Sequence, residues 1–474
     1  MAKLIPIYTW NKSVLAFSKR SDRLSHKPWF QGALLLGCVV LAMLLANLPF
    51  TKHLYHAILE THFQARLSSP DGSFSLLFPR DLTVEKFIND ILMVIFFFTV
   101  GLEIRREVAH GELSSVKKAL LPVIAAFGGV IAPAVIYAVI NHGTAAASGW
   151  GIPTATDIAF AICILSVLSD KVPVSLKVFL TALAIADDLI AILVVALFYG
   201  GAINFKLLFI ALLVILFTLL LRRIGEKKMF PYIFCAIIVW ALFYYSGIHA
   251  TMSGVVMAFL IPAKSRYNKA QYIHKRNKYL ARLEKYDGID SEPFPNGPQK
   301  HCLRRLESIA HGSMDMSYRV EHALVPWVNF LIMPIFALAN AGVEITDPSF
   351  FNVFSYNSGL GSVSMGIFLG LLVGKPLGIT LFSWLAIKFK VGEMPQGANW
   401  KMFFAVACLG GIGFTMSIFV DTLSFGEQLP EITAHLRDAG KIAVLMGSVC
   451  AGLLGSVLIS IVDKMNGRKA DISK

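Results

Sequence analysis

Long apolar runs constrain this sequence more than any other feature. About twelve runs follow one another along the 474-residue chain, most of them near the roughly 20 apolar residues that a helix needs to cross a bilayer core. Only 15% of the residues are charged, against about 25% in soluble domains. The pattern predicts an all-α polytopic membrane protein. The predicted spans are about 30–49, 87–105, 119–140, 150–169, 174–199, 203–221, 231–246, 249–263, 322–343, 359–386, 402–423 and 441–463.

The basic residues lie mainly outside these runs. The formal net charge is +13, and residues 1–28, 264–320 and 464–474 carry net charges of +5, +6 and +3. This distribution is typical of a membrane protein and argues against a nucleic-acid partner. With the N-terminus inside, cytoplasmic segments hold 34 of the 43 Lys and Arg residues. The bias predicts that both termini are cytoplasmic.

The order of apolar and polar segments predicts how the chain is organised. The basic segment 264–320 fits either a solvated loop with short helices or a loop that binds anionic lipid headgroups. Residues 69–72 predict a small hairpin in the outward loop before the second span, and Gly247 with Ile248 predicts a tight helical hairpin between spans seven and eight. The predicted regions are a cytoplasmic tail 1–29, spans one to eight 30–263, a basic cytoplasmic loop 264–320, spans nine to twelve 321–463 and a cytoplasmic tail 464–474.

Four ionisable residues inside the predicted spans are the most informative side chains. Asp157 lies in the fourth span, Asp187 and Asp188 lie in the fifth, and Lys375 lies in the tenth. Each would cost about 2.5–3.5 kcal/mol at the centre of a bilayer, so they must face one another, a water-filled cavity or an ion. A structural ion pair would account for one acid and the lysine. It would leave two acids unmatched.

Two of the spans contain residues that interrupt helices. Pro153 precedes Asp157 in the fourth span, and the eleventh span contains Gly410, Gly411 and Gly413. Proline removes a helical N–H group and clustered glycine disfavours helix, so both spans are predicted to unwind within the membrane. Unwound backbone is tolerated there only where it is buried or lines a cavity. A pair of interrupted spans is a sequence indication of a transporter site.

The paired acids suggest exchange between protons and a small cation. Asp188 shares a helix face with Thr181, whereas Asp187 is turned about 100° away. One carboxylate can therefore meet a cation while the other meets Lys375. Desolvation and mutual repulsion both favour protonated carboxylates, so the same site can hold protons or a cation. Oxygen ligands suit Na+ or Li+ better than a soft transition metal.

The same residues carry a family resemblance that extends over nearly the whole chain. The sequence resembles the NhaA family of bacterial Na+/H+ antiporters, and the paired acids within their context are its most specific motif. The strings that carry the resemblance are ATDIAF at 155–160, ALAIADDL at 182–189, GKPLGI at 374–379, GIGFTMSI at 411–418, FTVGLEIRRE at 98–107 and SGIHAT at 246–251.

The resemblance implies a fold and an exchange site. It implies inverted repeats in which the broken fourth and eleventh spans cross mid-membrane. Asp187 and Asp188 would bind Na+ in exchange for protons, with Asp188 as the direct ligand, and Thr156 would lie beside Asp157 at the helix break. Asp157 would offset the positive ends of the broken helices and Lys375 the negative ends. Lys375 would also pair with Asp187.

The resemblance further implies a pH response, although Tyr318 and Val325 replace a Lys and a His of the best-known members and leave its threshold open. The implied function is a pH-regulated Na+(Li+)/H+ antiporter of the bacterial inner membrane that serves sodium and pH homeostasis. Family members are often homodimers, and no cofactor beyond the transported ions is implied. The residues implied in the pH response are Glu103, Arg106, Glu107, His249, Glu321 and His322.

Two other classes of membrane protein fit the sequence less well than an antiporter. An intramembrane aspartyl protease needs a matched pair of acids, typically with Gly-x-Gly-Asp in one helix. Here Gly413 is followed by Phe414, and the close acids are sequence neighbours that face different ways. A channel is disfavoured by an intramembrane lysine beside a titrating pair. The sequence therefore predicts a transporter and not an enzyme.

Overall fold

Apolar helices dominate the structure, which is a computed structural model. Contacts divide the chain into two compact units. The first contains described parts of 1–93, 107–200 and 329–474, and the second contains described parts of 94–106 and 201–328. The structure describes residues 28–68, 75–201, 203–226, 228–263, 265, 267–286, 295, 297–345, 353–354, 361–425 and 430–472.

The helices follow the predicted spans. Three π-helical turns, Ile88–Leu92, Val328–Ile332 and Gly370–Gly374, join successive helices into longer spans, and a 3-10 segment covers Ala145–Thr154. In chain order the α-helices are α1 (Pro28–Asn47), α2 (Lys52–Leu59), α3 (Val84–Phe87), α4 (Met93–His110), α5 (Val116–Ile140), α6 (Ile158–Val167), α7 (Val174–Phe198), α8 (Phe205–Ile224), α9 (Met229–Ser246), α10 (Thr251–Leu260), α11 (Lys269–Glu284), α12 (Gly297–Ser313), α13 (Met316–Trp327), α14 (Met333–Asn340), α15 (Val363–Leu369), α16 (Lys375–Lys388), α17 (Trp400–Leu409), α18 (Phe414–Ser424) and α19 (Pro430–Ile472).

The predicted polytopic architecture is confirmed. Within the described residues, nine helices are long and apolar enough to cross a bilayer. Two further pairs of helical segments pass the same test together, each bent at a short break, and they correspond to spans four and eleven. The remaining predicted span, the eighth, corresponds to α10. That helix has ten residues, is about 15 Å long and covers the middle of the predicted range 249–263.

Two helices begin before the predicted spans to which they correspond, because polar residues lie inside these helices. Helix α13 begins at Met316, and the predicted ninth span begins only at residue 322. Helix α19 begins at Pro430, which tolerates the first helical position, and continues to Ile472. The predicted twelfth span starts at residue 441, because the charges before it read as a loop. Residues 1–27 of the predicted N-terminal tail lie outside the described residues.

One hairpin interrupts the helical pattern. Strand β1 (His62–Ser68) pairs antiparallel with β2 (Ser75–Thr83), with His62 opposite Thr83 and Ser68 opposite Ser75. The register is irregular between Phe63 and Ala65. The predicted hairpin is confirmed in its strands, and its turn at 69–72 lies outside the described residues.

Helix α7 is the most enclosed of the nine unbroken candidate spans among the described residues. In its apolar window 72% of the residues are buried, against 11% for α8. Helix α8 instead presents exposed apolar side chains such as Phe209, Leu213 and Phe217, as expected of a helix that faces lipid. The enclosure of α7 explains how its two adjacent acids are kept from lipid and water.

Helices α5 and α16 approach each other backbone to backbone. A Cβ atom on Gly378 would overlap the carbonyl oxygen of Gly128, and a Cβ atom on Gly128 would overlap the carbonyl oxygen of Gly378. Small residues permit such close approach between membrane helices. Because Lys375 begins α16, this contact determines where its side chain starts.

Replacing Gly378 with alanine is expected to destabilise the protein. The added methyl group would push on the Gly128 backbone, and overpacking of this kind typically costs about 1–3 kcal/mol. Gly37 on α1 is a matched control, because a Cβ atom there meets nothing within 4 Å. Gly37→Ala should leave stability unchanged or raise it by up to about 1 kcal/mol through helix propensity. Thermal unfolding in detergent measures both, and equal midpoints would contradict the close contact.

The second unit contains the basic loop. Helix α11 begins with a capping box formed by Asn268 and Gln271, and it packs against α12. The backbone N–H of Tyr267 donates to the carbonyl of Gly312 at 3.1 Å. The two ends of the α11–α12 pair are therefore adjacent, and the pair is an appendage between α10 and α13.

Candidate functional site

Helix α7 presents the paired acids to a buried lysine. Asp187 and Asp188 are each 2% exposed and Lys375 is fully buried. The Lys375 Nζ lies 2.6 Å from Asp187 Oδ2, which is the pair that the family resemblance implies. Asp188 is the next residue of the helix and points about 100° away. The Thr181 hydroxyl donates to the Lys177 carbonyl of the same helix at 3.0 Å.

A threonine links this ion pair to both helix breaks. The Thr156 Oγ1 lies 2.5 Å from Asp187 Oδ2 and 2.9 Å from the carbonyl oxygen of Gly410, and it accepts a hydrogen bond from Lys375. A hydroxyl has one proton, so Thr156 donates to either the carboxylate or the carbonyl at any moment. Its position therefore gathers three oxygen atoms around one buried point.

The two helix breaks meet directly. The 3-10 segment and α6 form a pair bent by 43°, with residues 155–157 outside regular helix between them. Helices α17 and α18 form a pair bent by 52°, and Gly410, Gly411 and Gly413 lie between or at their ends. Pro153 lies inside the 3-10 segment, so the unwound residues follow it. The N–H of Asp157 donates to the carbonyl of Ile412 at 2.6 Å, which joins the two breaks.

Asp157 caps both helices that start at the breaks. Its Oδ1 accepts from Phe160 N–H at 3.2 Å, in the first turn of α6. Its Oδ2 accepts from Thr415 N–H at 3.1 Å and from the Thr415 hydroxyl, at the start of α18. A carboxylate in this position satisfies unpaired N–H groups and complements the positive ends of two helix dipoles.

The site retains oxygen atoms that could contact a cation. Asp187 Oδ1 is buried and makes no hydrogen bond within the part of the chain that the structure describes. With Asp188, Thr156 and the Gly410 carbonyl, it offers the hard oxygen ligands that suit an alkali cation. No group of three or more His, Cys, Asp and Glu side chains able to hold a metal ion is found among the described residues.

Three of the six residues implied in the pH response come together in the second unit. Arg106 forms an ion pair with Glu321, and its Nη2 lies 3.7 Å from Glu103 Oε1. His322 is exposed, and its ring centre lies 4.1 Å from that of Tyr318. His249 is half-buried just before α10, and Glu107 is half-buried in the first unit.

Sequence reasoning missed two residues near the breaks. Thr415 holds Asp157, and its signal was a hydroxyl residue placed just after the Gly411-x-Gly413 interruption, much as Thr156 follows Pro153. Asp421 is fully buried in α18. It lies inside the predicted span 402–423, so the same search for charges within spans could have found it.

Comparisons with known proteins agree with this geometry. A family model described as Na+/H+ antiporter 1 matches residues 22–459. The Na+/H+ antiporter NhaA of Oleidesulfovibrio alaskensis is 41% identical over 440 residues, covering 93% of each chain. NhaA of Koribacter versatilis is 42% identical over 431 residues, covering 90% of this chain and 88% of its own. Antiporter NhaA 2 of Syntrophotalea carbinolica is 39% identical over 439 residues, covering 93% and 95%. This multi-pass membrane protein therefore belongs to the NhaA family of Na+/H+ antiporters.

Proposed function

We propose that the chain exchanges Na+ or Li+ for protons across the bacterial inner membrane, extruding sodium for sodium and pH homeostasis. The observation that carries this proposal is the buried Lys375–Asp187 pair beside Asp188, at the point where two broken helices meet. Buried carboxylates are costly unless they are paired, protonated or bound to a cation. Asp187 and Asp188 can be paired with Lys375, protonated or bound to a cation, and an exchanger needs such alternative states of the same acids.

Competition for Asp187 and Asp188 explains why the fluxes would be coupled in opposite directions. In this proposal a cation binds the carboxylate of Asp188 and the free Oδ1 of Asp187, with oxygen from Thr156 or its neighbours. Protonation removes the negative charge that holds the cation. Lys375 competes for Asp187 as a second positive charge, so the site need not carry an uncompensated acid after the cation leaves.

The charge bias supports an orientation for this transporter. We propose that both termini are cytoplasmic, because that orientation puts 34 of the 43 Lys and Arg residues inside. The loop 264–320 is then cytoplasmic. We also propose that the ion pairs of Arg106 with Glu103 and Glu321 take part in a pH response, with Glu107, His249 and His322 as further participants. A homodimer and the absence of a cofactor remain expectations of the family resemblance.

Transport in proteoliposomes tests the proposed function. Purified protein is reconstituted into vesicles with a fluorescent pH dye, and a proton gradient that is acidic inside the vesicles is imposed. Na+, Li+, K+ or choline is then added outside. We expect dye dequenching with Na+ and Li+ and little with K+ or choline. Protein-free vesicles and vesicles with the doubly substituted Asp187→Asn/Asp188→Asn protein are the controls. Equal dequenching with all four cations, or with the double variant, would contradict exchange at this site.

Removing the basic appendage is expected to preserve exchange and shift its pH dependence. Deleting residues 268–311 joins Tyr267 to Gly312, which are already hydrogen-bonded, so little chain strain is introduced. The appendage has surplus positive charge, which lowers the local proton concentration. Removing the appendage should move the pH profile to higher pH by about 0.4 unit for each kT by which the local electrostatic energy of a proton falls. High salt should abolish the difference.

The matched control for this deletion keeps the appendage and removes part of its positive charge. Substituting Arg304 and Arg305 with Gln should shift the profile in the same direction by less, at unchanged maximal rate. Loss of all activity in a well-folded deletion would show that the appendage belongs to the transport machinery.

A further inference from the structure

Asp421 is a buried acid that the exchange site does not use. It lies three residues before the end of α18 and is fully buried. Neither of its carboxylate oxygens makes a hydrogen bond within the described ranges. Its Oδ1 packs against Gly440 of α19, where a Cβ atom would overlap it. The neighbouring helix therefore leaves room for this carboxyl group and gives it no hydrogen-bond donor.

The location favours a neutral carboxylic acid in this conformation. An ionised carboxylate without a hydrogen bond is strongly disfavoured inside a protein. The last turn of α18 adds the negative end of a helix dipole, which also opposes negative charge. A proton on Asp421 removes both costs.

The groups that face Asp421 come from three elements. Helix α19 contributes the charges of Arg437, Asp438 and Lys441, α5 contributes Tyr137, and Tyr199 follows α7. The two tyrosine hydroxyls donate elsewhere, to the carbonyls of Ala146 and Ser148, each at 2.8 Å. The basic groups would stabilise an ionised Asp421 if they moved closer, so its charge can change with modest rearrangement.

A series of titratable residues lies between Asp421 and the protein surface. Asp438 is within electrostatic reach of Lys441, His435, His56 and Glu344. His56 Nε2 lies 4.0 Å from Glu344 Oε2, and their side chains are 38% and 30% exposed. In the other direction, Thr415 at the start of α18 binds Asp157 and lies six residues before Asp421, about 9 Å along a helix.

We propose that Asp421 is a proton-binding site on the route by which protons reach the exchange site from the end of the protein that carries His56 and Glu344. The carboxylate takes up one proton from the surface cluster through Asp438 or water and releases that proton toward the helix breaks. Under the orientation proposed above this end faces outward, the side from which protons enter. The inference rests on the proposed function and adds a residue to its proton path.

The first experiment detects the proton directly. Infrared difference spectra of detergent-solubilised protein between acidic and alkaline pH, with 13C-labelled aspartate, report the C=O stretch of protonated carboxyl groups. We expect a carboxylic acid C=O band in the acidic-minus-alkaline difference spectrum that is missing in Asp421→Asn and unchanged in Thr422→Val, a neighbouring substitution in the same helix. An identical spectrum in Asp421→Asn would overturn the proposal whatever the transport activity.

The second experiment tests the route. In proteoliposomes with a fixed internal pH, Asp421→Asn should slow Na+-coupled proton uptake from the Glu344 side by about tenfold at alkaline pH, where protons are scarce. At acidic pH the rate should approach that of the wild type. This effect is smaller than the about 100-fold or larger loss when a general acid or base is removed, because water remains as a slower path. Asp421→Glu should restore part of the rate.

The outcomes separate this inference from the proposed function. If the wild-type protein shows no exchange, the function proposed for the chain fails. If the wild type exchanges and Asp421→Asn has the same pH profile and thermal stability, only the proton route fails. A uniform loss of rate at every pH, together with a lower unfolding temperature, would assign Asp421 a structural role and overturn the route.

Discussion

The Asp188→Asn protein is expected to fold normally and to lose Na+/H+ exchange. The amide keeps the shape of the side chain, but it can neither release a proton nor supply the negative charge that a cation needs. Removing a general acid or base typically costs about 100-fold or more, and here the cation ligand is lost as well, so we expect activity at the background of protein-free vesicles. Dye dequenching with Na+ and proton release on Na+ addition measure the loss.

Asp170 provides the matched control for this substitution. It is an exposed acid in the short 3-10 turn that precedes α7. Asp170→Asn removes the same charge from the same unit and should leave the exchange rate within about twofold of the wild type, as is usual for surface substitutions. Wild-type exchange in Asp188→Asn, or equal losses in both variants, would remove Asp188 from the mechanism.

Lys375→Ala is expected to be the most destabilising single substitution at the site. It leaves Asp187 as a buried acid whose Oδ2 retains only the Thr156 hydroxyl. Breaking a buried pair in this way typically costs about 3–5 kcal/mol. The thermal unfolding midpoint in detergent measures the effect. Lys388→Ala on the same helix is the control, because that exposed lysine lies 4.6 Å from the Trp384 ring centre and should contribute about 1 kcal/mol or less.

A second substitution tests whether the lost charge balance causes the destabilisation. Adding Asp187→Asn to Lys375→Ala removes the stranded acid, so the double variant should unfold at a higher temperature than Lys375→Ala alone. If the two substitutions were additive, the lysine would act through packing and the ion pair would have no stabilising role.

The sequence predicted much of the fold because the physics of a bilayer is simple. Long apolar runs must become spans, so their number and approximate positions followed from hydropathy. Acids within those runs cannot face lipid, which singles out Asp157, Asp187 and Asp188 from the sequence alone. The meeting of Thr156, Asp187 and Lys375 could not be derived in this way. Lys375 and Asp187 are 188 residues apart; the residues alone predicted that one of the two acids meets Lys375, and only the family resemblance implied that this acid is Asp187.

The errors have physical reasons. The predicted ninth span begins after the start of α13 because Arg319 and Glu321 make the first turns of this helix look like a loop. The eighth predicted span, 249–263, extends past both ends of α10 because hydropathy does not report where a short helix begins and ends. Thr415 was missed because a threonine in an apolar run is unremarkable until the carboxylate that it binds is located.

The direct contact between α5 and α16 has a mechanical consequence. With no side chains between Gly128 and Gly378, there is no compressible layer that would let one helix slide past the other. The two helices should therefore move together as one rigid body, and the ammonium group of Lys375 should move with them. The movements that open the ion path to one side of the membrane and then to the other would then have to come from the elements that surround α5 and α16.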